Sequence, residues 1–261
     1  METVHEFSME EAADLIDAGA INACGDRRIR VLDLCSGPGG VGRALHTIFS
    51  SSRIPGWFLG VDIVDYSDHY LGNFVQGDIR DVTLADLGLE EPVDLVWISA
   101  PCPAYAKTSH IWYDDPKEVH PTFDDLGVYD AAERLGKEFV IENVVGCDDL
   151  RDPISLNGAP FHLRLNFERR FDASFAVDGW VSSPPEDFVR VGVDSERELA
   201  KAKGIYAAGW SKTEIRSAIP SSYVGYLLSH CPTLPEVEPP GGVDEYRRLR
   251  VDDSQGQLTD F

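Results

Sequence analysis

The sequence is short of positive charge. Lysine and arginine number 23 against 45 aspartates and glutamates, a net charge of −22, and only six of the basic residues are lysine. Such a composition offers no broad basic face for collecting nucleic-acid phosphates. Either the chain binds no nucleic acid, or it is adapted to molar salt. At about 1 M salt the Debye length shrinks to roughly 3 Å, so self-repulsion is screened and an acidic, lysine-poor surface stays hydrated. The halophilic reading is preferred. Also missing is any apolar run near the ~18 residues needed to cross a bilayer. The stretch from Met1 to Ile16 is acidic and has no signal-peptide core, so a soluble, cytoplasmic protein with no membrane partner is expected. The cysteines, Cys24, Cys35, Cys102, Cys147 and Cys231, are odd in number and widely spaced, with no C-x-x-C pair. That argues against a disulfide framework and against a zinc site, and no metal is expected.

What is present suits a packed domain: 43 % of the 261 residues are hydrophobic. Ser8 to Glu11 forms a capping-box pattern that opens a short helix through about Ala18. Five apolar runs read as strands: 28–34, 56–62, 73–78, 93–99 and 138–142. Helical patterns fall at 41–49 and 129–135. Strands alternating with helices predict an α/β fold with a mainly parallel sheet. Four segments are expected: an α/β domain over 1–150, a small β-rich segment over 151–205, a helical return over 206–231 and an acidic tail over 232–261. The helical return should start near Ser211, break at Pro220 and resume to Leu228.

Each strand ends in a polar or reactive residue. In open α/β sheets the ligand site lies beyond the carboxyl ends of the strands, so these residues should converge. Asp33 to Gly42 follows the first strand, and Gly37, Gly39 and Gly42 satisfy G-x-G-x-x-G. That pattern fits a dinucleotide or S-adenosylmethionine, and also a plain tight turn. Asp33 tilts the reading toward S-adenosylmethionine, which has an ammonium and no pyrophosphate. Asp62, 20 residues after Gly42, can accept ribose hydroxyls. Asp78 is placed for an adenine amino group, with Ile79 packing on the ring. Cys102, held between Pro101 and Pro103 at a strand end, reads as a positioned nucleophile or as a buried structural thiol. Glu142 and Asn143 close the next strand. A carboxyl there suits proton donation if burial raises its pKa; otherwise the pair ties down a loop.

In this order the motifs resemble the DNA cytosine-C5 methyltransferase family, over about residues 28–172 and again over 210–228. Ala100 to Tyr105 is similar to its nucleophile motif, and Ile141 to Val144 to its Glu-Asn-Val motif. The segments Leu150 to Pro153 and Trp210 to Pro220 resemble the short members carried by phages and viruses. The resemblance implies a Rossmann-like S-adenosylmethionine-dependent methyltransferase fold, with DNA as partner. It implies a catalytic set of Cys102, Glu142, Asn143 and Arg169. Its implied cofactor set is Asp33, Leu34, Cys35, Ser36, Gly37, Gly39, Gly40, Asp62, Ile63, Asp78, Ile79, Pro101, Ser221 and Ser222. The implied chemistry is addition of Cys102 to carbon 6 of a flipped-out cytosine, protonation of nitrogen 3 by Glu142, and methylation at carbon 5. Asn143 would anchor the nucleophile turn, Arg169 would contact the base, and the stretch from Tyr105 to Asp125 would form a lid.

The chain also departs from the family pattern. Pro103 stands where the family has glutamine, and Phe167 where its basic motif begins with arginine. About 38 residues separate Phe171 from Trp210, a short recognition region. RNA or a free nucleotide as substrate, an amino-methyltransferase, a nicotinamide-dependent oxidoreductase and a catalytically inactive nucleic-acid module are the competing readings. The oligomeric state is open, a monomer included.

Overall fold

The computed structural model describes residues 29–51, 56–205, 207 and 209–234. The helix expected from Ser8 and most of the acidic tail lie outside the described residues. Five strands, β1 Ile29–Leu34, β2 Gly56–Asp62, β3 Asn73–Gln76, β4 Val93–Ser99 and β5 Gly136–Asn143, pair in parallel. Helix α1 (Gly40–Ser51) links β1 to β2. The short α2 (Phe123–Leu126) and α3 (Val128–Leu135) lead into β5. Then come β6 Ile154–Leu156, β7 Arg169–Ala173, α4 Glu196–Lys203, α5 Lys212–Ser217 and α6 Ser221–Leu228.

The strand order is β3-β2-β1-β4-β5-β7-β6. It reverses between β1 and β4, which creates a crevice at the carboxyl ends of those strands. β7 runs antiparallel to both β5 and β6. That inversion matters for the site, because it brings the first residue of β7, Arg169, to the end of β5 that carries Glu142 and Asn143. β6 and β7, from the segment read as small and β-rich, extend the central sheet. The rest of 157–195 is mostly loop, tied back by isolated bridges from Leu156 to Trp180 and from Leu165 to Val189.

Alternation along the buried strands divides the core in two. Val31, Leu95, Trp97, Val140 and Phe171 face α1 and α6. Leu32, Leu34, Val96, Ile98 and Ile141 face α3 and the segment around Leu87. β4 is buried along nearly its whole length, as a strand covered on both sides must be. No helix among the described residues is long and apolar enough to cross a membrane.

The turn between β1 and α1 is shaped from within by Tyr70. A Cβ added at Gly39, Gly42 or Gly60 would stand 2.8, 2.7 or 2.6 Å from that ring. Below the ring, the Tyr70 hydroxyl donates to Asp33 Oδ2 at 2.9 Å, and the Gly42 N–H is also directed at Asp33. Two of the three glycines in the G-x-G-x-x-G spacing therefore make room for a tyrosine.

Candidate active site

A cavity of about 250 Å³ opens at the carboxyl ends of β1, β2, β4 and β5. Its floor is the turn after β1: Cys35, Ser36, Gly37, Pro38 and Gly40. Asp62 closes one end. Ser99, Pro101 and Cys102 come from β4 and its following turn, and Glu142, Val144 and Arg169 from β5 and β7. Trp210, Glu214, Ser217, Ala218 and Ile219 complete the remaining wall.

Cys102 begins a tight turn in which its carbonyl accepts the N–H groups of Tyr105 and Ala106, at 3.0 and 2.9 Å. Proline at 103 fits that position, because its missing N–H would have had no partner in the first turn. Asn143 holds the strand end just before it, its side-chain amide donating to the Ala100 carbonyl at 3.0 Å. Burial pushes the Cys102 thiol up, the charge of Glu142 adds to this, and Arg169 opposes it.

Glu142 is buried and pairs with Arg169, Nε to Oε1, at 3.1 Å. Burial outweighs the pull of Arg169 and Lys203 and pushes its carboxyl up to about 7. The Arg169 guanidinium lies 3.7 Å from the centroid of the Phe167 ring. So does the ammonium of Lys203. The Phe167 ring is thus flanked by two cationic side chains, one from β7 and one from α4. Lys203 is 1 % exposed and donates to the carbonyls of Ile215, Arg216 and Ala218 at 2.9, 2.7 and 2.7 Å. Burial pulls its pKa well below the ordinary lysine range, Arg169 adds to the pull, and Glu142 opposes it.

At the opposite end, Asp62 accepts the Gly37 N–H on one oxygen and the Val64 N–H on the other, each at 2.9 Å. The carboxylate offers about four acceptor sites, so capacity for a ligand hydroxyl remains. Burial raises its pKa, and the N–H groups of Val64, Gly37 and Ile63 pull it back.

Of the expected residues, Cys102, Glu142, Arg169, Cys35, Ser36, Gly37, Gly40, Asp62 and Pro101 line this cavity. The others lie elsewhere. Asp33 has no exposed surface and does not line the cavity; its Oδ2 accepts the Tyr70 hydroxyl, while its Oδ1 has no hydrogen-bond partner. Leu34 is core, and Gly39, at φ +95°, faces Tyr70. Strand β3 stops at Gln76, which leaves Asp78 in the following turn, where Arg80 grips its carboxylate at 2.9 and 2.5 Å and lowers its pKa. Ile79 is buried and Ile63 exposed, both off the cavity wall. Ser221 and Ser222 are displaced from it too: the chain reaches the cavity earlier, through Glu214 and Ser217 to Ile219. Gly40 permits that approach, since a Cβ there would meet Ala218 Cβ and the Ile219 nitrogen at 3.3 Å.

The lid stretch is pinned at its base. The Tyr105 hydroxyl donates to Asp149 at 2.5 Å and accepts the Phe123 N–H at 2.8 Å, while Lys117 pairs with Asp148 and Asp149. Its tip, Ile111 and Trp112, stands in solvent. Sequence reading missed Tyr70, Lys203, Trp210 and Glu214. Trp210 and Glu214 left a trace, since both lie in the stretch from Trp210 to Pro220 that carried the resemblance, and Glu214 closes the capping box of Ser211. Among the described residues, no cluster of His, Cys, Asp or Glu could hold a metal.

No protein-family model matches the chain, and no curated protein matches it by sequence. Among solved structures, the methyltransferase EhMeth of Entamoeba histolytica is similar at 13 % identity and a TM-score of 0.50, over 79 % of this chain and 98 % of that one. A putative ribosomal RNA methyltransferase of Plasmodium falciparum shows 14 % identity and a TM-score of 0.33, over 62 % of this chain and 93 % of its own. A human methyltransferase 10 domain containing protein shows 12 % identity and a TM-score of 0.34, over 63 % and 78 %. Together with the strand order, the first of these likenesses defines the class: the chain has the Rossmann-like methyltransferase fold.

Proposed function

We propose that the chain is an S-adenosyl-L-methionine-dependent methyltransferase that modifies carbon 5 of cytosine in DNA, with Cys102 as nucleophile. The observation that carries this reading is the shared cavity. The Cys102 thiol, the buried Glu142 carboxyl of raised pKa and the Arg169 guanidinium face the same space as Asp62 and the glycine-rich turn, which adds a second thiol, Cys35. The residues present suit the cofactor: Asp62 keeps acceptor capacity for ribose hydroxyls, and at Gly37 and Gly40 the floor carries no side chain. When bound, S-adenosylmethionine supplies an electrophilic methyl group.

The chain's own residues then have distinct tasks. Cys102 Sγ, as thiolate, bonds to carbon 6 of the cytosine. The displaced electron pair makes carbon 5 nucleophilic, and the ring is neutralised at nitrogen 3 by a proton from Glu142. Arg169 orients Glu142 and holds the base. After methylation, water takes the carbon 5 proton, the electrons of the sulfur–carbon bond return to Cys102 as thiolate, and the nitrogen 3 proton returns to Glu142, which restores the aromatic ring. Asn143 keeps the strand end before Cys102 in place. A halophilic setting accords with the net charge of −22, and the proposed place of action is the cytoplasm, that of a host cell if the source is viral.

The test is methyl transfer from labelled cofactor to duplex DNA, RNA and dCTP at molar salt, with bisulfite-type mapping of the product. Label at carbon 5 of duplex cytosine is expected. Label confined to RNA or nucleotide, or carried on an exocyclic nitrogen, overturns the DNA reading.

Acid–base behaviour provides a second prediction. The working state holds a single proton between Cys102 and Glu142, with thiolate and carboxylic acid together. Below the Glu142 pKa both groups are protonated and no thiolate exists. Above the Cys102 pKa both are ionised and no acid exists. The profile of kcat/KM against pH should therefore rise through about pH 7 and fall only beyond the ordinary cysteine range. A rate already flat from pH 5 upward would contradict this assignment.

A further inference from the structure

A cofactor with an amino-acid end brings two cationic centres, a sulfonium and an α-ammonium, into a partly dehydrated space. The ammonium needs an anionic acceptor, because burying it unpaired is costly. Among the described residues three carboxylates line the cavity: Asp62, Glu142 and Glu214. Glu142 is committed to Arg169. Asp62 is anchored by two backbone N–H groups. Asp33 is sealed beneath Tyr70.

Glu214 remains. It sits in the first turn of α5, in the wall that Gly40 lets close upon the glycine-rich turn. It is half-buried and makes no ion pair with any described lysine or arginine. Its neighbours are the Ser211 N–H, which donates to Oε2 at 2.5 Å, and the Tyr66 hydroxyl. Tyr66 feels the charges of both Glu214 and Asp62, which puts the two carboxylates near the same end of the cavity. A pre-placed carboxylate without a cationic partner, beside the floor on which the cofactor would rest, is what an ammonium requires.

We propose that Glu214 receives the α-ammonium of the cofactor, the task that the sequence suggested for Asp33. This rests on the cofactor assignment above. Glu214→Gln is a clean probe, because glutamine also closes a capping box with Ser211, so α5 keeps its start while the charge is lost. Binding is measured by calorimetry with two ligands: S-adenosylhomocysteine, which carries the ammonium, and 5′-methylthioadenosine, which lacks the amino-acid end. A charge-assisted hydrogen bond contributes enough that Glu214→Gln should weaken S-adenosylhomocysteine about 10- to 100-fold. Binding of methylthioadenosine should be unchanged. Unchanged S-adenosylhomocysteine binding overturns the role of Glu214 and leaves the cofactor assignment standing. Equal loss of both ligands marks Glu214 as a purely structural residue and overturns it as well. If the wild-type protein binds neither ligand, the cofactor assignment fails and this proposal falls with it.

Discussion

Replacing Cys102 with alanine should abolish methyl transfer, a loss on the order of 10⁴-fold or more, while S-adenosylhomocysteine binding stays near wild type. The expectation turns on there being two thiols in one cavity. Cys35 also lines it, in a left-handed backbone conformation at φ +52°. Burial drives the Cys35 thiol far above the ordinary range, and the charges of Asp62, Asp33 and Asp78 drive it further. Cys102 is raised less, and it alone of the two is opposed by a cation, Arg169. A duplex with 5-fluorocytosine separates the candidates. Fluorine cannot leave carbon 5 as a proton does, so elimination stalls and the protein stays bonded to the base. Wild type should give a covalent adduct that maps by mass spectrometry to Cys102, and Cys102→Ala should give none. An adduct at Cys35, or turnover in the alanine variant, would end the assignment.

Lys203→Met should lower thermal stability sharply. The ammonium offers three donors, and three backbone carbonyls at the end of α5 take them. Methionine fills much of the volume but donates nothing, leaving those carbonyls buried and unpaired. Each buried acceptor left without a donor costs about 1–3 kcal/mol, and with two of the three bonds only part-buried the sum is about 3–5 kcal/mol. For a chain of this size that is roughly a 6–20 °C fall in Tm. Lys203→Arg should not rescue it, because a planar fork cannot enter a cage built around a compact ammonium. The loss should also reach the chemistry. Lys203 pulls the Glu142 pKa down, so without it the acid limb of the pH profile should move to higher pH. A melting point within 2 °C of wild type would show that the cage does not hold the wall (an order-of-magnitude threshold).

Much of the fold was legible because buried parallel strands and capped helices leave local marks. The five apolar runs match β1 to β5 within about two residues. Ser211 caps α5 and Pro220 precedes α6, where the pattern placed the start and the break. The convergence of Cys102 and Glu142 on one cavity was readable for the same reason, since both lie at the ends of adjacent strands. Contacts made across long sequence distances were not. The Tyr70 ring, 37 residues from Asp33 in the chain, captures the carboxylate that the motif seemed to offer a ligand. Lys203 supplies its charge beside Phe167 from another helix, and no local pattern predicts that. The strand read as ending at Asp78 ends at Gln76, and the Asp78 carboxylate meets Arg80 in the turn beyond.

The packing around Tyr70 has a bearing on how this sequence can drift. Gly39, Gly42 and Gly60 are each held to glycine by one aromatic ring, so none of the three can change alone without collision. Shrinking residue 70 first would release Gly42 and Gly60 together and strand the acid beneath, while Gly39, at φ +95°, stays held by its backbone. In lineages descended from this chain residues 42, 60 and 70 should therefore change together, and a mutagenesis library that randomises them singly would miss the combinations in which both glycines are replaced.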